Sequence, residues 1–417
     1  MSITSPGPGV ARTMGLLVVG YAGYYLCRSH FSATLPLIAA ELVAKGADPS
    51  ATKIRLGDVA AAGTLAYAAG KFVFGGLADR VGGRSTFLLG MAGAVLCTLG
   101  FAAGGSLPVF SIAWVANRLL QSMGWPGVVK LAGNWTPPRR HGAALGTLSL
   151  SFLFGDAAAR ALIRRLLEAG LGWRQVFVAC AGLLSTWLVL CLLFLRERPE
   201  GSTMAEVQGP IDDEPGPGYL GLLRDPGFRL ACGVSLGLTI VRETFSTWTP
   251  TYFVERVGMS PAEAAGTSAV FPLFGGVSVI VSGVLADRFG RVGRAAILAL
   301  GLVAAGGAIA GLAWGGSRSM SVGLVAASGF LLMGPYSFLA GAIALDFGGK
   351  RAGATASGLI DGVGYLGGIA AGVVVGRLVA YTGWGPAFAL LAAVTWASAA
   401  VAIGFWAQQR RAERGLT

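Results

Sequence analysis

The sequence predicts an all-α polytopic membrane protein: twelve transmembrane helices in two pseudo-symmetric six-helix bundles. Three observations carry that expectation. Of 417 residues, 54% are hydrophobic and only 12% charged, about half the charge of an ordinary soluble domain, and the mean hydropathy is +0.66. The apolar residues come in blocks long enough to cross a bilayer. The blocks of the first half of the chain return, with recognisable loops, in the second.

The blocks place spans at roughly 14–42, 55–78, 85–104, 107–133, 141–168, 172–195, 227–254, 261–286, 292–314, 319–346, 352–378 and 385–407. Residues 1–13 are polar and the first apolar block is long enough to span, so no cleavable leader is expected. Between the sixth and seventh spans lies "RERPEGSTMAEVQGPIDDEPGPGYLGLLRD", whose Pro, Gly and acid content reads as a cytoplasmic linker. The expected organisation is a bundle over 1–197, a linker over 198–225 and a bundle over 226–417. The 66 glycines fit closely approaching membrane helices.

The internal repeat is specific. "GGLADRVGGRS" at 75–85 returns as "GVLADRFGRVGR" at 283–294, so Asp79 and Asp287 lie 208 residues apart. "GWRQVFVACAGLL" from Gly172 returns as "GWGPAFALLAAV" from Gly383, with Trp173 and Trp384 offset by 211. Such a duplication marks many transporter folds, whose substrate sites lie near the bilayer midplane between the halves. In the first repeated segment, Asp79, Arg80 and Arg84, and in the second Asp287 and Arg288, are expected to bridge helices on the inner face and gate the transport cycle.

The net charge of +12 sits in short loops between apolar spans, which is topological signalling by Lys and Arg and not a nucleic-acid footprint. The distribution puts both termini inside a cell inner (plasma) membrane. Lys45, Lys53, Arg55, Arg160, Arg164, Arg165 and Arg174 fall on the outer side. They either focus an anionic substrate at the mouth or are snorkelling loop charges. The five cysteines lie in apolar spans without paired spacing, and His30 and His141 have no ligand-spaced partner, so neither a disulfide framework nor a metal site is expected. No P-loop, nucleophile elbow or cofactor motif is present in the sequence. An enzyme, an ATP-driven pump and a cofactor are therefore not expected.

Charges inside the spans carry the functional reading, because each is costly to place in a bilayer. Arg28 stands 14 residues into span 1, in "GYYLCRSHFSATLPLI", with no acid between Gly15 and Ala40. Arg242 stands 15 residues into span 7, in "LTIVRETFSTWTPTYF". Both are about 21–22 Å along their helices, and spans 1 and 7 hold matching places in the two halves. The two arginines are therefore expected at one depth, facing a central cavity, with a substrate oxyanion as their counter-charge. Each guanidinium offers a planar fork that suits two phosphoryl oxygens better than a lysine does. Tyr21, Tyr24 and Tyr25 share a similar face one or two turns away and can add hydroxyl donors. Glu243 follows Arg242 directly, but neighbours on a helix point about 100° apart, so it is expected to face elsewhere.

Lys71 is either a third cavity cation or a snorkelling lysine. Arg118 is either a coupling residue or a structural one tied to backbone carbonyls. Lys130 reads as snorkelling. Asp156 and Arg160, four apart on span 5, are expected to neutralise each other. Asp361 lies near the middle of span 11, and the repeat offset relates it to the neighbourhood of Ser151 in span 5. It can contact the substrate, pair with a buried cation or carry a proton.

Several segments resemble the major facilitator superfamily and, within it, the organophosphate:phosphate antiporters, the group of glycerol-3-phosphate, hexose-phosphate and glucose-6-phosphate transporters. "GYAGYYLCRSHFSATLPLI" resembles that family's span 1 and its phosphate-binding arginine, here Arg28. "GKFVFGGLADR" carries the span-2 lysine at Lys71. "NRLLQSMGWPGVVKLAGNW" resembles the span-4 signature, with Gln121, Gly124, Trp125 and Pro126. "VRETFSTWTPTYF" resembles the span-7 segment with the second arginine, Arg242, and "GPYSFLAGAIALDFGGKRAGATASGLIDGVGYLGG" the stretch across spans 10 and 11. The resemblance implies a monomeric carrier exchanging an organic phosphate for inorganic phosphate by alternating access. Substrate contacts are implied at Arg28, Arg242, Lys71, Tyr21, Tyr25, Ser151, Trp125 and Asp361. The chain departs from the pattern at Ser29, where a lysine follows the arginine in two branches, at Ser151, where one branch has histidine, and at Arg118, where a small residue is typical. The alternatives are a proton-coupled carrier of another organic anion or a drug, and a transporter-like ligand sensor.

Overall fold

A computed structural model describes residues 8–136, 141–199 and 219–415; some side chains within that range, including those of Asp79 and Asp287, lie outside the description. Among the described residues the regular structure is helical. Span 1 is built from α1 (Pro8–Tyr24) and α2 (Leu26–Ala44), span 2 is α3 (Pro49–Val81) and span 3 is α4 (Gly83–Ala103). Span 4 divides into α5 (Leu107–Gln121) and α6 (Gly124–Trp135), followed by α7 (His141–Glu168) and α8 (Trp173–Phe194). A short α9 (Tyr219–Arg224) lies at the end of the segment read as a linker over 198–225; residues 200–218 lie outside the described ones. Asp225 then caps α10 (Pro226–Glu255), its carboxylate accepting from the Gly227 and Phe228 amides at 2.7 and 3.1 Å. The second half continues with α11 (Pro261–Thr267), α12 (Val270–Trp314), α13 (Arg318–Phe338), a π-turn at Leu339–Ile343, α14 (Ala344–Thr382) and α15 (Trp384–Glu413).

Eight of the described segments are long and apolar enough to cross a membrane on length and composition alone. The four remaining spans are α3, α5–α6, α7 and α10. They fall short because they are broken or carry charges within the helix, among them Lys71, Arg118, Asp156, Arg160, Arg242 and Glu243. Arg242, Lys71 and Arg118 of the candidate site lie on these more polar spans, while Arg28 and Asp361 lie on spans 1 and 11, which are among the eight.

The duplication read from sequence has a backbone counterpart. Gly82 (φ 95°) and Gly290 (φ 61°) are 208 residues apart and both take the left-handed region, each at the turn between consecutive spans. Trp173 and Trp384 open α8 and α15. Each packs its ring against the phenylalanine one turn on, Phe177 at 5.3 Å and Phe388 at 5.9 Å.

The chain forms two compact units. The first, residues 1–31 and 66–213, has an aromatic core in which Phe31 stacks on Trp114 at 4.3 Å and Phe101 on Phe110 at 4.6 Å. His30, 1% exposed, stacks on Phe177 at 3.8 Å and bonds Thr98, so it is a core residue.

The second unit is residues 32–65 and 214–417. Within it the 32–65 segment packs on α10 and α14. A Cβ at Gly57 would come within 2.6 Å of the Gly372 carbonyl oxygen, so the α3 and α14 backbones touch. Trp248 donates to the Ala371 carbonyl at 2.9 Å, closing α10 on α14. At the rim, Asp58 and Arg377 form a two-pronged pair at 2.6 and 3.3 Å. Glu255 accepts from Lys53 and from the Trp384 indole, both at 2.9 Å.

Candidate functional site

In the first unit the site begins with a break in span 1. Tyr25 separates α1 from α2, and Cys27 has non-helical angles (φ −90°, ψ 18°). A helix interrupted inside a bilayer leaves carbonyls that need donors. Gln121 of α5 supplies one, donating to the Cys27 carbonyl at 2.5 Å and to the Asn117 side-chain oxygen at 2.7 Å. Asn117 is held in turn, donating to the Ala94 carbonyl at 3.1 Å and to the Thr98 hydroxyl at 3.0 Å. This buried relay fixes the bend immediately before Arg28 and so aims its side chain.

Arg28 lies with its guanidinium 4.7 Å from the centre of the Tyr67 ring and 5.1 Å from that of Tyr25, whose hydroxyl it meets at 3.4 Å. Tyr67 is 3% exposed and gathers two more cations. Arg118 stands 4.5 Å from its centre and Lys71, one turn along α3, 5.4 Å. Arg118 also lies 5.8 Å from the Trp114 ring. One ring thus gathers three positive charges from spans 1, 2 and 4, an arrangement that attracts an anion.

The remaining candidates of this unit surround that centre. Tyr21 packs on Trp125 at 5.5 Å and on Tyr25 at 6.1 Å. Tyr24 is buried with its hydroxyl on the Phe87 carbonyl, which commits it to holding α1 on α4. Ser151 donates to the Leu148 carbonyl of its own helix at 2.5 Å. Asp156 accepts from Arg160 at 2.9 Å and from Ser29 at 2.5 Å, so the span-5 pair also braces the residue next to Arg28.

In the second unit Arg242 is half-buried between two rings, 4.8 Å from the centre of Tyr336 and 5.4 Å from that of Tyr365. The Tyr336 hydroxyl donates to Asp361 at 3.2 Å, which brings Asp361 into the same cluster. Contrary to the helical-wheel expectation, Glu243 meets Arg242 at 2.6 Å, with side chains only 9% and 11% exposed. The 100° between neighbouring Cα–Cβ directions constrains where the two stems start. It does not limit where long side chains end, and two charges withdrawn from water meet wherever their reach allows. The Nε of Arg242 is buried without a hydrogen-bond partner among the described residues.

The repeated loop motifs act within their own units. Arg84 donates to the Leu195 and Leu192 carbonyls at 2.6 and 2.8 Å, closing the end of α8, while Glu197 accepts from the Gly83 and Arg84 amides at 2.8 and 2.7 Å and caps α4. Arg291 and Arg294 hold Asp346, at 3.1 and 2.6 Å. Arg80 and Arg288 are exposed, and the side chains of Asp79 and Asp287 lie outside the described ones. Among the cations expected on the outer side, Lys45, Lys53 and Arg164 each pair with a glutamate, Glu41, Glu255 and Glu168. That pairing weakens any focusing field at the mouth. Among the described residues no cluster of metal-ligating side chains occurs, and the five cysteines are free.

Two six-span halves repeating one loop motif, with half-buried arginines on spans 1 and 7, define the class of membrane transporters built on this duplicated fold. The Major Facilitator Superfamily profile matches residues 17–372, and the chain belongs to that superfamily. It is an integral membrane protein. It is 26% identical over 399 residues to the glycerol-3-phosphate transporter of Bacillus subtilis (strain 168), covering 90% of this chain and 87% of that one. It is 27% identical over 373 residues to the glucose-6-phosphate exchanger SLC37A2 of Danio rerio, covering 79% and 74%. Its fold is similar to that of an inward-facing bacterial homologue of the human lysosomal transporter Spinster, with a TM-score of 0.71 at 17% identity over 96% of this chain and 97% of that one.

Proposed function

We propose that this protein is a secondary active transporter of a phosphate monoester, exchanged for inorganic phosphate by alternating access in a cell inner membrane with both termini cytoplasmic. The observation that carries the reading is the matched pair of arginine settings. Arg28 is held over Tyr25 and Tyr67, and Arg242 over Tyr336 and Tyr365. A guanidinium lying on ring faces points its planar N–H edge away from the rings, and such an edge matches phosphoryl oxygens two at a time. The relatives named as glycerol-3-phosphate and glucose-6-phosphate carriers support the substrate class.

In this reading Arg28 and Arg242 both bind the phosphoryl group, with Lys71 and Arg118 adding positive charge on the Tyr67 side. Tyr21, Tyr25, Trp125, Ser151 and Asp361 line the route taken by the organic moiety. Binding lowers the repulsion among the cations, which lets the halves close around the anion and carry it across. Arg84 and its partners brace the first bundle, and Arg291 and Arg294 on Asp346 brace the second, while this happens.

The test is uptake of labelled glycerol 3-phosphate or glucose 6-phosphate into proteoliposomes loaded with inorganic phosphate. A panel of unlabelled phosphate esters, carboxylates and sulfonates competes. Inhibition by phosphate and its esters, with carboxylates inert, is the expected result. Uptake blocked by carboxylates and indifferent to internal phosphate would contradict the reading.

A further inference from the structure

The pair formed by Arg242 and Glu243 is the feature that phosphate exchange leaves unexplained. An arginine that is to bind an anion is already held by a carboxylate at 2.6 Å, both heads nearly buried. The groups around them are fixed on three helices. Arg242 and Glu243 sit on α10, Tyr336 on α13, and Asp361 and Tyr365 on α14. The Glu243 stem lies against Gly368 of α14, close to Thr64 of α3. Arg242 keeps a buried Nε without a partner among the described residues, so its fork offers an edge to a ligand while another of its nitrogens stays on Glu243.

A phosphoryl dianion arriving at that edge comes beside the Glu243 carboxylate. Two like charges that share one cation in a site withdrawn from water do not both stay ionised. The phosphoryl group is bonded at several oxygens by the arginine fork and the neighbouring donors, whereas the glutamate has a simple alternative, which is to bind a proton. Resting on the phosphate-ester reading above, we propose that Glu243 is the proton acceptor of this transporter: its carboxylate holds Arg242 before the anion arrives, and it takes up one proton from water when phosphoryl oxygens occupy the guanidinium. One O–H bond forms on the Glu243 carboxylate, and the guanidinium keeps its charge throughout. Each anion then crosses with a proton. Exchange of one anion for another is neutral in protons, while net uptake without internal phosphate is driven by a pH gradient.

Proton uptake on binding has a fixed signature: the dissociation constant rises about tenfold for each pH unit over which one proton is taken up. The measurement is binding of glycerol 3-phosphate to the purified full-length protein by calorimetry at pH 8 to 9. In that range the ester is already a dianion, since its second pKa is near 6. Buffers of different ionisation enthalpy count the protons.

The parent should take up close to one proton and weaken about tenfold across that unit. E243Q should take up none, and its affinity should be flat with pH. Binding that is lost in R242K but has a flat pH profile in the parent would overturn the proposal while leaving phosphate recognition intact. No binding of the ester at any pH would overturn the phosphate-ester reading and the proposal with it. Should E243Q not give folded protein, D361N decides. Uptake retained there supports Glu243, whereas uptake lost there assigns the proton to Asp361 and overturns the proposal.

Discussion

The two arginine settings are alike in shape and opposite in charge. Arg28 lies on Tyr25 and Tyr67, and the Tyr67 ring also carries Arg118 and Lys71. Arg242 lies on Tyr336 and Tyr365, but its neighbours are Glu243, in direct contact, and Asp361, reached through the Tyr336 hydroxyl. The arginines hold matching places on spans 1 and 7, but their rings come from spans 1 and 2 in the first unit and from spans 10 and 11 in the second, so the two platforms are built from positions the repeat does not relate. Cations gather in the first unit and acids in the second. On the reading proposed above, the setting in the first unit attracts an anion, whereas in the second an arriving anion meets a resident negative charge that a proton can neutralise.

The comparison can be broken most sharply at the arginines. R28K and R242K each keep the charge but lose the planar fork, and each should lower exchange at least ~100-fold in proteoliposomes, about 2.7 kcal/mol. Next is the relay that bends span 1. Q121L leaves the Cys27 carbonyl and the Asn117 side-chain oxygen without their donor. The protein should lose about 1–3 kcal/mol of stability, seen as a lower unfolding temperature in detergent, and its substrate KM should rise because Arg28 is no longer aimed. Y67A removes the ring shared by three cations and should weaken apparent substrate affinity about tenfold, whereas Y67F keeps the ring face and should stay within about threefold. The smallest effect is expected at Y336F, which keeps the ring under Arg242 but removes the hydroxyl that donates to Asp361. Affinity should change by about two- to threefold, in line with one hydrogen bond. A Y67F variant as impaired as Y67A would show that the hydroxyl and not the ring organises the first unit.

Much of this was legible in the sequence. The spans read from hydropathy lie within a few residues of the helices, because a bilayer sets both the length and the composition of a segment that crosses it. The repeated loop motif was registered on Asp79 and Asp287, and the segments it marked contain Gly82 and Gly290, the glycines whose positive φ makes the turn. Arg28 and Arg242 stood out because a charge in an apolar run is conspicuous. Tyr25 was marked by its place one turn from Arg28, but Tyr67, Tyr336 and Tyr365 were not, since an aromatic residue inside a membrane helix looks the same whether it carries a guanidinium or packs a core. Thr98 and Asn117 were silent for a similar reason: small polar residues in a span are equally consistent with bonds to their own helix. The break at Cys27 has no proline to announce it, and its evidence is the glutamine one helix away. Glu243 was misjudged because a helical wheel reports where a side chain leaves the backbone. Two long ionic side chains in a dry site finish where their charges can meet.

The most direct test of the central claim is phosphate counterflow. Proteoliposomes loaded with unlabelled inorganic phosphate are given labelled phosphate outside, with the parent, R28K and R242K compared at equal reconstitution. The account predicts rapid accumulation of label by the parent and near-background signal from both variants. Folded parent protein that fails to exchange phosphate, or variants that exchange it as fast as the parent, would contradict the account.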